Sequence, residues 1–166
     1  LENLQTAFET AMERGEGNIA ARCACAQSAI FQHQGPVAVS RTQLERVLTQ
    51  PDLDPEERCY VMHRLAIMAR RMGDDSAAGR LWNEILGGGA VAPHGALSIG
   101  IWSLLAVHDA RHGREGARQR LSEALLAARE NGHDLAELDI VANLGAYHHG
   151  RFEMPRAGAC YDLALK

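Results

Sequence analysis

Apolar residues recur along this chain with the spacing of amphipathic helices. One stripe runs from Leu97 to His108 and another from Leu121 to Ala128, each with apolar residues three and four positions apart. Because positions with this spacing share one face of a helix, each stripe predicts a helix with one buried side. Turn signals separate the stripes, so the pattern predicts helix pairs: a first helix, called helix A, a short turn, and a second helix, called helix B.

The stripes repeat along the chain. When the third helix pair is laid over the fourth, Leu104 meets Leu144 and Leu121 meets Tyr161, which is a shift of about 40 residues. The equivalent positions keep their apolar character and their spacing within each helix. Self-similarity at a fixed period is the sequence signature of an array of stacked units, so the pattern indicates a helical repeat.

The repeat extends toward the start of the chain. A backward shift of the same size brings Leu81 into register with Leu121, and a slightly shorter further step then fits best. That shorter step aligns Leu44 with Leu81 and Leu48 with Ile85. The predicted units therefore follow one another at nearly constant steps, two of equal length and a shorter one at the start.

Capping and turn residues define the predicted elements. Asp54 is a predicted N-cap before Pro55, and Gly73, Gly113 and Gly150 lie near the A-to-B turns. We predict A helices at 18–34, 55–72, 94–112 and 134–149, and B helices at 38–49, 75–86, 114–130 and 154–166, after an opening segment at 3–14 that matches a B helix.

These elements predict an all-α fold, an array of antiparallel helix pairs with about nine helices. We expect a single array over 1–166, made of a partial unit at 1–20 and of units at 21–57, 58–97, 98–137 and 138–166. Because the array opens inside a B helix and closes without a polar capping helix, we expect a segment of a longer protein. A native gene that starts at the codon of Leu1 and stops after Lys166 would contradict this expectation.

The last unit matches a known pattern through Asn143-Leu144-Gly145-Ala146-Tyr147, Gly150-Arg151-Phe152, and then Ala157, Tyr161, Ala164 and Leu165. It resembles a tetratricopeptide repeat (TPR), which has Leu-Gly and then Tyr on helix A, a Gly-Asp-Tyr-like turn, and Ala, an aromatic residue and Ala on helix B. The resemblance implies a right-handed superhelical TPR-like α-solenoid. It covers about three and a half units, whose steps exceed the usual length of about 34 residues. In the middle units Leu65 and Leu105 replace the helix A glycine.

The TPR resemblance implies a surface that binds a protein or peptide. In a TPR array the A helices line the inner groove, and the groove residues lie between the packing positions of helix A. Carried over to this chain, the predicted partner-binding residues are Arg22, Cys25, Gln32, His33, Cys59, Met62, Arg70, Ile99, Trp102, Asp109, Asp139 and His149. Nothing resembles the paired Lys and Asn clamp of chaperone-binding TPR domains.

Trp102 has two interpretations. It lies off the main apolar stripe, and large rigid aromatic side chains dominate interface energies, so it is a candidate anchor for a partner. It can equally pack against the neighbouring unit. The charged residues of the predicted groove likewise have a plainer interpretation, an ordinary solvated helix face.

Three functions follow from these features. Repeats of this length are similar to those of large bacterial signalling and transcription regulators, in which a TPR array adjoins a DNA-binding or ATPase domain. The first function is therefore a protein-interaction or sensor module of such a regulator. The second is a stand-alone TPR secretion chaperone or adaptor. The third is a helical enzyme with a His or Cys site, although we expect no enzymatic activity.

Composition narrows the range of partners. Apolar residues make up 46% and charged residues 23% of the chain, as in ordinary globular proteins, so disorder is not expected. A net charge of −4 gives no electrostatic footprint for nucleic acid or anionic lipid. With no long apolar run and no signal peptide, the four cysteines are expected to be free thiols in the cytoplasm. A homo-oligomer is compatible with the sequence.

Candidate chemical sites are few. His108 and His112 lie one helical turn apart, but His108 falls on the apolar stripe, which predicts packing rather than metal binding. Cys23 and Cys25 point about 200° apart around a helix, so they cannot easily share a metal. The arginine-rich stretch from Arg111 to Arg120 is interpreted as a solvated face. We expect no catalytic residue, no metal and no cofactor.

Overall fold

The computed structural model describes residues 2–165, and it confirms the prediction of an all-α fold with about nine helices. The described residues form α1 (Glu2–Glu13), α2 (Gly17–Gln34), α3 (Val37–Leu48), α4 (Pro55–Arg71), α5 (Asp75–Gly87), α6 (Ala96–Arg111), α7 (Ala117–Glu130), α8 (Asp134–Gly150) and α9 (Met154–Ala164). The predicted A helices are α2, α4, α6 and α8, and the B helices are α3, α5, α7 and α9. No described helix is long and apolar enough to cross a membrane.

The chain divides into two compact units, Leu1–Val91 (unit 1) and Ala92–Lys166 (unit 2). The division follows the end of α5, where Gly89 adopts a φ of +68° and Pro93 follows shortly after. Glycine reaches this left-handed conformation without a steric penalty, and proline cannot continue a helix. Unit 1 therefore contains α1 to α5, and unit 2 contains α6 to α9.

In unit 1 the A helices α2 and α4 pack side by side, and α3 packs against both. Helix α1 packs on α2, and α5 packs on α4. Polar bonds join α2 to α4 along their length: Asn18 donates to the carboxylate of Asp54 at 2.6 Å, and Arg64 donates through Nε to the hydroxyl of Ser28 at 2.6 Å. Consecutive helix pairs of unit 1 thus pack in chain order, as a stacked helical array requires.

Three glutamines join α1, α2 and α3 inside unit 1. The Oε1 atom of Gln5 accepts hydrogen bonds from Nε2 of Gln43 at 2.6 Å and from Nε2 of Gln27 at 3.2 Å. Gln27 and Gln43 are only 1% and 4% exposed. A buried amide donor that loses its acceptor costs about 1–3 kcal/mol, so the carbonyl of Gln5 fixes α1 against its two neighbours.

In unit 2 the A helices α6 and α8 pack side by side, α7 packs against both, and α9 packs on α8. The Nδ2 atom of Asn143 donates to the hydroxyl of Ser103, 40 residues earlier in the chain, at 3.0 Å. Equivalent positions of the repeat are therefore in direct contact. The core of unit 2 is formed by Ile99, Ala106, Val107, Leu121, Ala124, Ala128, Ala136 and Ile140.

Five helices end in the same hydrogen-bonded turn. After α4 the amide of Asp74 donates to the carbonyl of Ala69, and the amide of Gly73 donates to that of Arg70, the two bonds of a Schellman motif. The left-handed residue of this turn is a glycine after α1, α4, α6 and α7. After α8 it is Phe152, with a φ of +61°. Because a non-glycine residue in this conformation costs roughly 1–2 kcal/mol, the α8–α9 turn is the strained member of the set.

Two local predictions differ from the structure, whereas Gly150, predicted to lie near an A-to-B turn, is the last residue of α8, directly before that turn. Asp54 occupies the N-cap position of α4, but its side chain makes no capping bond and pairs with Asn18 instead. Helix α7 begins at Ala117 rather than at 114, because Gly116 before it is left-handed at a φ of +80°.

The predicted register of α5 is wrong by one residue. The buried triplets are Ser40, Leu44 and Val47 in α3, Ala78, Trp82 and Ile85 in α5, and Ala117, Leu121 and Ala124 in α7. Trp82 is therefore the buried equivalent of Leu44 and Leu121, the place that the sequence comparison had given to Leu81. Val47 likewise takes the place given to Leu48 opposite Ile85. For the B helices the first step is therefore one residue longer than predicted and the second is one residue shorter, whereas the A helices α4 and α6 keep the predicted step of 40 residues, since Val61 and Ile101 are both buried.

His63 on α4 is a titratable group enclosed in unit 1. Its ring Nδ1 is buried and has no hydrogen-bond partner among the residues described. Burial, together with repulsion from Arg64 and Arg70, lowers the pKa of the imidazole from 6.5 to about 4. Removing a charged imidazolium from water without an acceptor is costly, so the folded protein holds His63 neutral.

We expect stability to fall on acidification because of His63. Between pH 6.5 and about 4 the unfolded chain binds the proton and the folded chain does not, so stability decreases as the pH falls through this window. For His63 alone the loss at about pH 5 is about 2 kcal/mol relative to neutral pH. Urea unfolding of the wild type and of His63→Gln, each at about pH 5 and at neutral pH, measures the effect. If both proteins lose the same free energy of unfolding on acidification, His63 is not the cause.

Candidate functional site

The twelve predicted groove residues lie on α2 and α4 of unit 1 and on α6 and α8 of unit 2. Three of them are buried: Ile99 has no exposed surface, Cys59 is 6% exposed and Met62 is 8% exposed. Ile99 belongs to the apolar core of unit 2. Because side chains this deeply buried offer a partner almost no surface, the assignment of these three residues to the groove is corrected to a packing role.

Arg22 and Cys25 lie along the contact between α2 and α4. The Nε atom of Arg22 is 2.7 Å from Oε1 of Glu57 on α4. Burial raises the pKa of the Cys25 thiol to about 12, although the nearby Arg64 opposes the shift. A thiol with so high a pKa stays protonated at neutral pH and is a weak nucleophile. Both predicted groove residues therefore have neighbours within the helix stack.

The other predicted residues of unit 1, Arg70, Gln32 and His33, are half-buried or exposed. The guanidinium carbon of Arg70 lies 5.6 Å from the centre of the Trp82 ring, a cation–π contact. Gln32 is half-buried and His33 is exposed near the end of α2. A partner-binding role for Arg70, Gln32 and His33 stays a prediction.

In unit 2 Trp102 is half-buried against the apolar core. Its ring meets that of His94 edge to face, with 5.9 Å between the ring centres. Asp139 lies on α8 and is exposed as a residue. Its carboxyl group is nevertheless partly shielded from water by the surrounding atoms, which raises its pKa. The structure thus gives Trp102 packing contacts within unit 2, and its role as an anchor stays a prediction.

Asp109, another predicted groove residue, fixes the turn between α6 and α7. Its carboxylate lies 2.9 Å from Nη1 of Arg114 and 2.7 Å from Nη2 of Arg120. Arg120 also donates to the backbone carbonyl of Glu115 at 3.3 Å. Because its two carboxylate oxygens pair with Arg114 of the turn and with Arg120 of α7, Asp109 has a clear structural role.

An open cleft of about 1140 Å³ lies beside this turn. Its walls come from the end of α6, the α6–α7 turn, the first residues of α7 and the end of α8, with Tyr161 of α9. Glu115 is the acidic residue among the described lining residues. The basic ones are Arg111, Arg114, Arg118 and Arg151, together with His149 from the predicted groove. This surface is called the arginine cleft below.

Two of the cleft arginines have partners of their own. Arg114 binds Asp109. The Nε atom of Arg151 lies 3.6 Å from a carboxylate oxygen of Glu153, and its guanidinium carbon lies 5.7 Å from the centre of the Tyr147 ring. Each of these two guanidinium groups thus has a carboxylate within ion-pair distance.

The other two, Arg111 and Arg118, have no carboxylate within ion-pair distance in the part of the chain that the structure describes. Arg111 is the last residue of α6, and Arg118 lies in the first turn of α7. The N-cap of α7 is Gly116, which supplies no side-chain acceptor. The first turn of α7 therefore adds its partial positive charge to that of the two arginines.

The cleft also has an apolar part, formed by Val107, Ala110, Ala146 and the rings of Tyr147 and Tyr161. Helix α9 comes close to α8 here because Gly145 has no side chain. A Cβ atom on Gly145 would lie 2.6 Å from Cε1 of Tyr161. The glycine of the TPR-like pattern therefore determines where the Tyr161 wall of the cleft stands.

We expect Gly145→Ala to destabilise the protein by about 1–3 kcal/mol, because the added methyl group must displace the Tyr161 ring. The same substitution at Gly100, where a Cβ would meet nothing within 4 Å, is the control and should be neutral or stabilising. Urea unfolding measures both variants. In a Tyr161→Ala background the cost of Gly145→Ala should largely disappear; an undiminished cost would contradict the steric explanation.

The histidines and cysteines do not converge on one site. The rings of His108 and His112 lie 4.3 Å apart, and Nδ1 of His112 is 2.8 Å from the carbonyl oxygen of His108. His148 is 8% exposed, and its Nδ1 lies 2.7 Å from Oε2 of Glu153, which lowers the pKa of that carboxyl. Across residues 2–165, no three or more His, Cys, Asp or Glu side chains are arranged to hold a metal ion.

The sequence interpretation missed the arginine cleft. It treated the stretch from Arg111 to Arg120 as a solvated face and gave no role to Arg151. The signal was nevertheless present, because the shift that lays the third helix pair over the fourth also lays Arg111 over Arg151. Since α6 and α8 pack side by side, equivalent residues at their ends come to the same surface.

The likeness to TPR proteins therefore remains a resemblance in residue pattern, carried by the unit at 138–166 and accompanied by helices that pack in chain order within each unit. Two residues of that pattern meet in the structure, since the missing side chain of Gly145 accommodates the ring of Tyr161. No family model, no curated protein and no solved structure matches the chain.

Proposed function

We propose that this chain is a protein-interaction module that binds a segment of another protein in the arginine cleft of unit 2. The observation that carries the proposal is the cleft itself, an open concave surface with both apolar and cationic lining. Its volume of about 1140 Å³ is slightly above the roughly 300–1000 Å³ typical of small-molecule sites. An open site of this size suits a short peptide segment better than an enclosed small ligand.

The lining supports recognition of a peptide. Tyr147 and Tyr161 present aromatic rings, which provide large contact areas at little cost in side-chain entropy. His149 and Gln119 add hydrogen-bonding groups at the same surface. A combination of an apolar floor with a few polar groups is typical of sites that bind a defined ligand.

The resemblance to TPR arrays supports the same class of function. On that basis we propose that the module serves a larger, bacterial regulatory protein, where it would sense or recruit a partner in the cytoplasm. A stand-alone TPR secretion chaperone or adaptor is the alternative, and it uses the same surface in the same way. The two differ in the neighbouring sequence: an adjoining DNA-binding or ATPase domain favours the regulator.

The proposal is tested by selecting ligands without prior choice of sequence. A random peptide library displayed on phage is selected against the purified chain, and the enriched peptides are synthesised and titrated by calorimetry. We expect Ser122→Trp, which places a bulky ring at the exposed cleft residue Ser122, to weaken binding by at least about ten-fold. Ser76→Trp, at an exposed position of α5 in unit 1, is the matched control and should bind normally.

Two results would overturn the proposal. The first is a failure to enrich any peptide above the background of an unrelated helical protein. The second is an equal effect of Ser76→Trp and Ser122→Trp on the affinity, which would mean that the peptides do not bind in the cleft. Amide chemical shifts recorded during the titration show directly whether the cleft residues respond, and circular dichroism verifies that both variants keep their helices.

A further inference from the structure

We infer that the partner of the arginine cleft is an acidic peptide segment, rich in Asp or Glu, whose carboxylates pair with Arg111 and Arg118. This inference rests on the proposed function and specifies the chemistry of its ligand. It starts from an imbalance of charge. Four arginines line the cleft and Glu115 is the acidic residue that accompanies them, although the whole chain carries a net charge of −4.

The imbalance is local to the cleft. Within unit 2, Ala92–Lys166, the sequence has eight basic and nine acidic residues. Outside Glu115 and the four cleft arginines, four basic and eight acidic residues remain, and two of these acidic residues, Asp109 and Glu153, pair with Arg114 and Arg151 of the cleft. Half of the basic residues of unit 2 thus line one cleft on an otherwise acidic unit. Like charges gathered at one place repel each other, and a bound anion removes that repulsion.

Arg111 and Arg118 are the residues available to a ligand. Their guanidinium groups have no carboxylate partner in the described chain, whereas Arg114 and Arg151 are already bound to Asp109 and Glu153. A guanidinium group presents a planar set of donors that matches a carboxylate in two parallel hydrogen bonds. The arrangement therefore favours a ligand with two carboxylates, one paired with Arg111 and the other with Arg118.

The surroundings favour a short acidic peptide over an extended polyanion. A nucleic acid carries phosphates along its whole length, and those beyond the cleft would meet the acidic remainder of unit 2. A short peptide confines its charge to the cleft. The apolar residues Val107, Ala110 and Ala146 also provide a surface on which a peptide backbone and its apolar side chains can pack, which a bare inorganic anion would leave unused.

Binding assays with defined probes test the inference. A fluorescent glutamate-rich peptide and its glutamine counterpart of the same length are titrated with the full chain and followed by fluorescence anisotropy. We expect the glutamate peptide to bind at least about ten-fold more tightly than the glutamine one. The difference should shrink as salt is raised, because ionic strength screens the pairing of exposed charges.

Two sets of variants locate the interaction. Arg111→Gln combined with Arg118→Gln should weaken the glutamate peptide by at least about ten-fold, because each arginine supplies a charge-assisted contact. Arg14→Gln combined with Arg80→Gln removes the same charge from exposed positions in unit 1 and should leave the affinity unchanged. Glu115→Gln should strengthen binding of the glutamate peptide by about two- to five-fold, since it removes from the cleft a negative charge that repels the peptide.

Several outcomes would overturn the inference. The first is that the glutamate peptide does not bind, or binds no more tightly than its glutamine counterpart. The second is that the unit 1 double variant weakens binding as much as the cleft double variant. The third is that oligothymidine or inorganic phosphate binds the cleft more tightly than the peptide. The selection of random peptides separates this inference from the proposed function. Neutral or basic peptides that bind the cleft would end the inference and keep the function, whereas no peptide at all would end both.

Discussion

Leu121→Asp should unfold unit 2. Leu121 has no exposed surface and lies in the apolar core formed by α6, α7 and α8. The substitution loses about 1.5–3 kcal/mol of apolar burial and adds the larger cost of enclosing a carboxylate without a partner. The sum exceeds about 4 kcal/mol, which approaches the whole stability of a small helical unit. We therefore expect the helices of unit 2 to be lost.

Hydrogen exchange followed by mass spectrometry measures this result unit by unit. Amides of α6 to α8 should exchange at the rate of unfolded peptides in Leu121→Asp. The control is Leu126→Asp on the same helix, because Leu126 is 57% exposed and its substitution introduces the same charge. We expect Leu126→Asp to change stability by less than about 0.5 kcal/mol. Similar protection in the two variants would mean that Leu121 is not at the core of unit 2.

Trp82→Ala should remove about 3–5 kcal/mol from the stability of unit 1, as expected for truncation of a large buried aromatic side chain. Trp82 has no exposed surface and is the largest of the fully buried side chains. It lies between Ala78 and Ile85 on the inner face of α5. Arg70 of α4 rests against its ring, so the truncation also removes a cation–π contact.

Trp82→Phe separates packing from polarity. The indole Nε1 is buried and has no hydrogen-bond partner among the described residues. Phenylalanine keeps an aromatic ring beside Arg70 and removes that unpaired donor, so part of the cost of the smaller ring is offset. Urea unfolding followed by circular dichroism should place Trp82→Phe well above Trp82→Ala in stability. A larger loss for Trp82→Phe than for Trp82→Ala would contradict the proposed packing.

The fold was predictable because helical periodicity is a local property. Each of the nine helices among residues 2–165 was predicted within three residues of its bounds, since the apolar spacing and the turn glycines are local features of the sequence. The alignment of equivalent positions between repeats was harder to predict from the sequence. Leu81 and Trp82 are adjacent and both apolar, so a comparison of residue types cannot decide which one faces inward. The structure decides it, because Trp82 is buried and Leu81 only partly so.

The site was predictable only in part because it depends on how helices face each other. Ile99 was assigned to the groove from its position between packing residues, yet it is enclosed by the core of unit 2. The arginine cleft combines the α6–α7 turn with the end of α8, and only the packing of α6 against α8 brings Arg111 and Arg151 to one surface. Composition also hid it, since the acidic net charge masks a local excess of arginine.

The hydrogen bonds that Gln5 accepts from Gln27 and Gln43 make these three positions interdependent. Replacing Gln5 alone by leucine strands two buried amide donors, each at a cost of about 1–3 kcal/mol. Replacing all three by apolar residues of similar shape leaves no donor stranded and can be nearly neutral. An apolar residue at position 5 is therefore expected to be tolerated only where positions 27 and 43 are apolar as well, so that the polar contact between these three helices is lost as a whole.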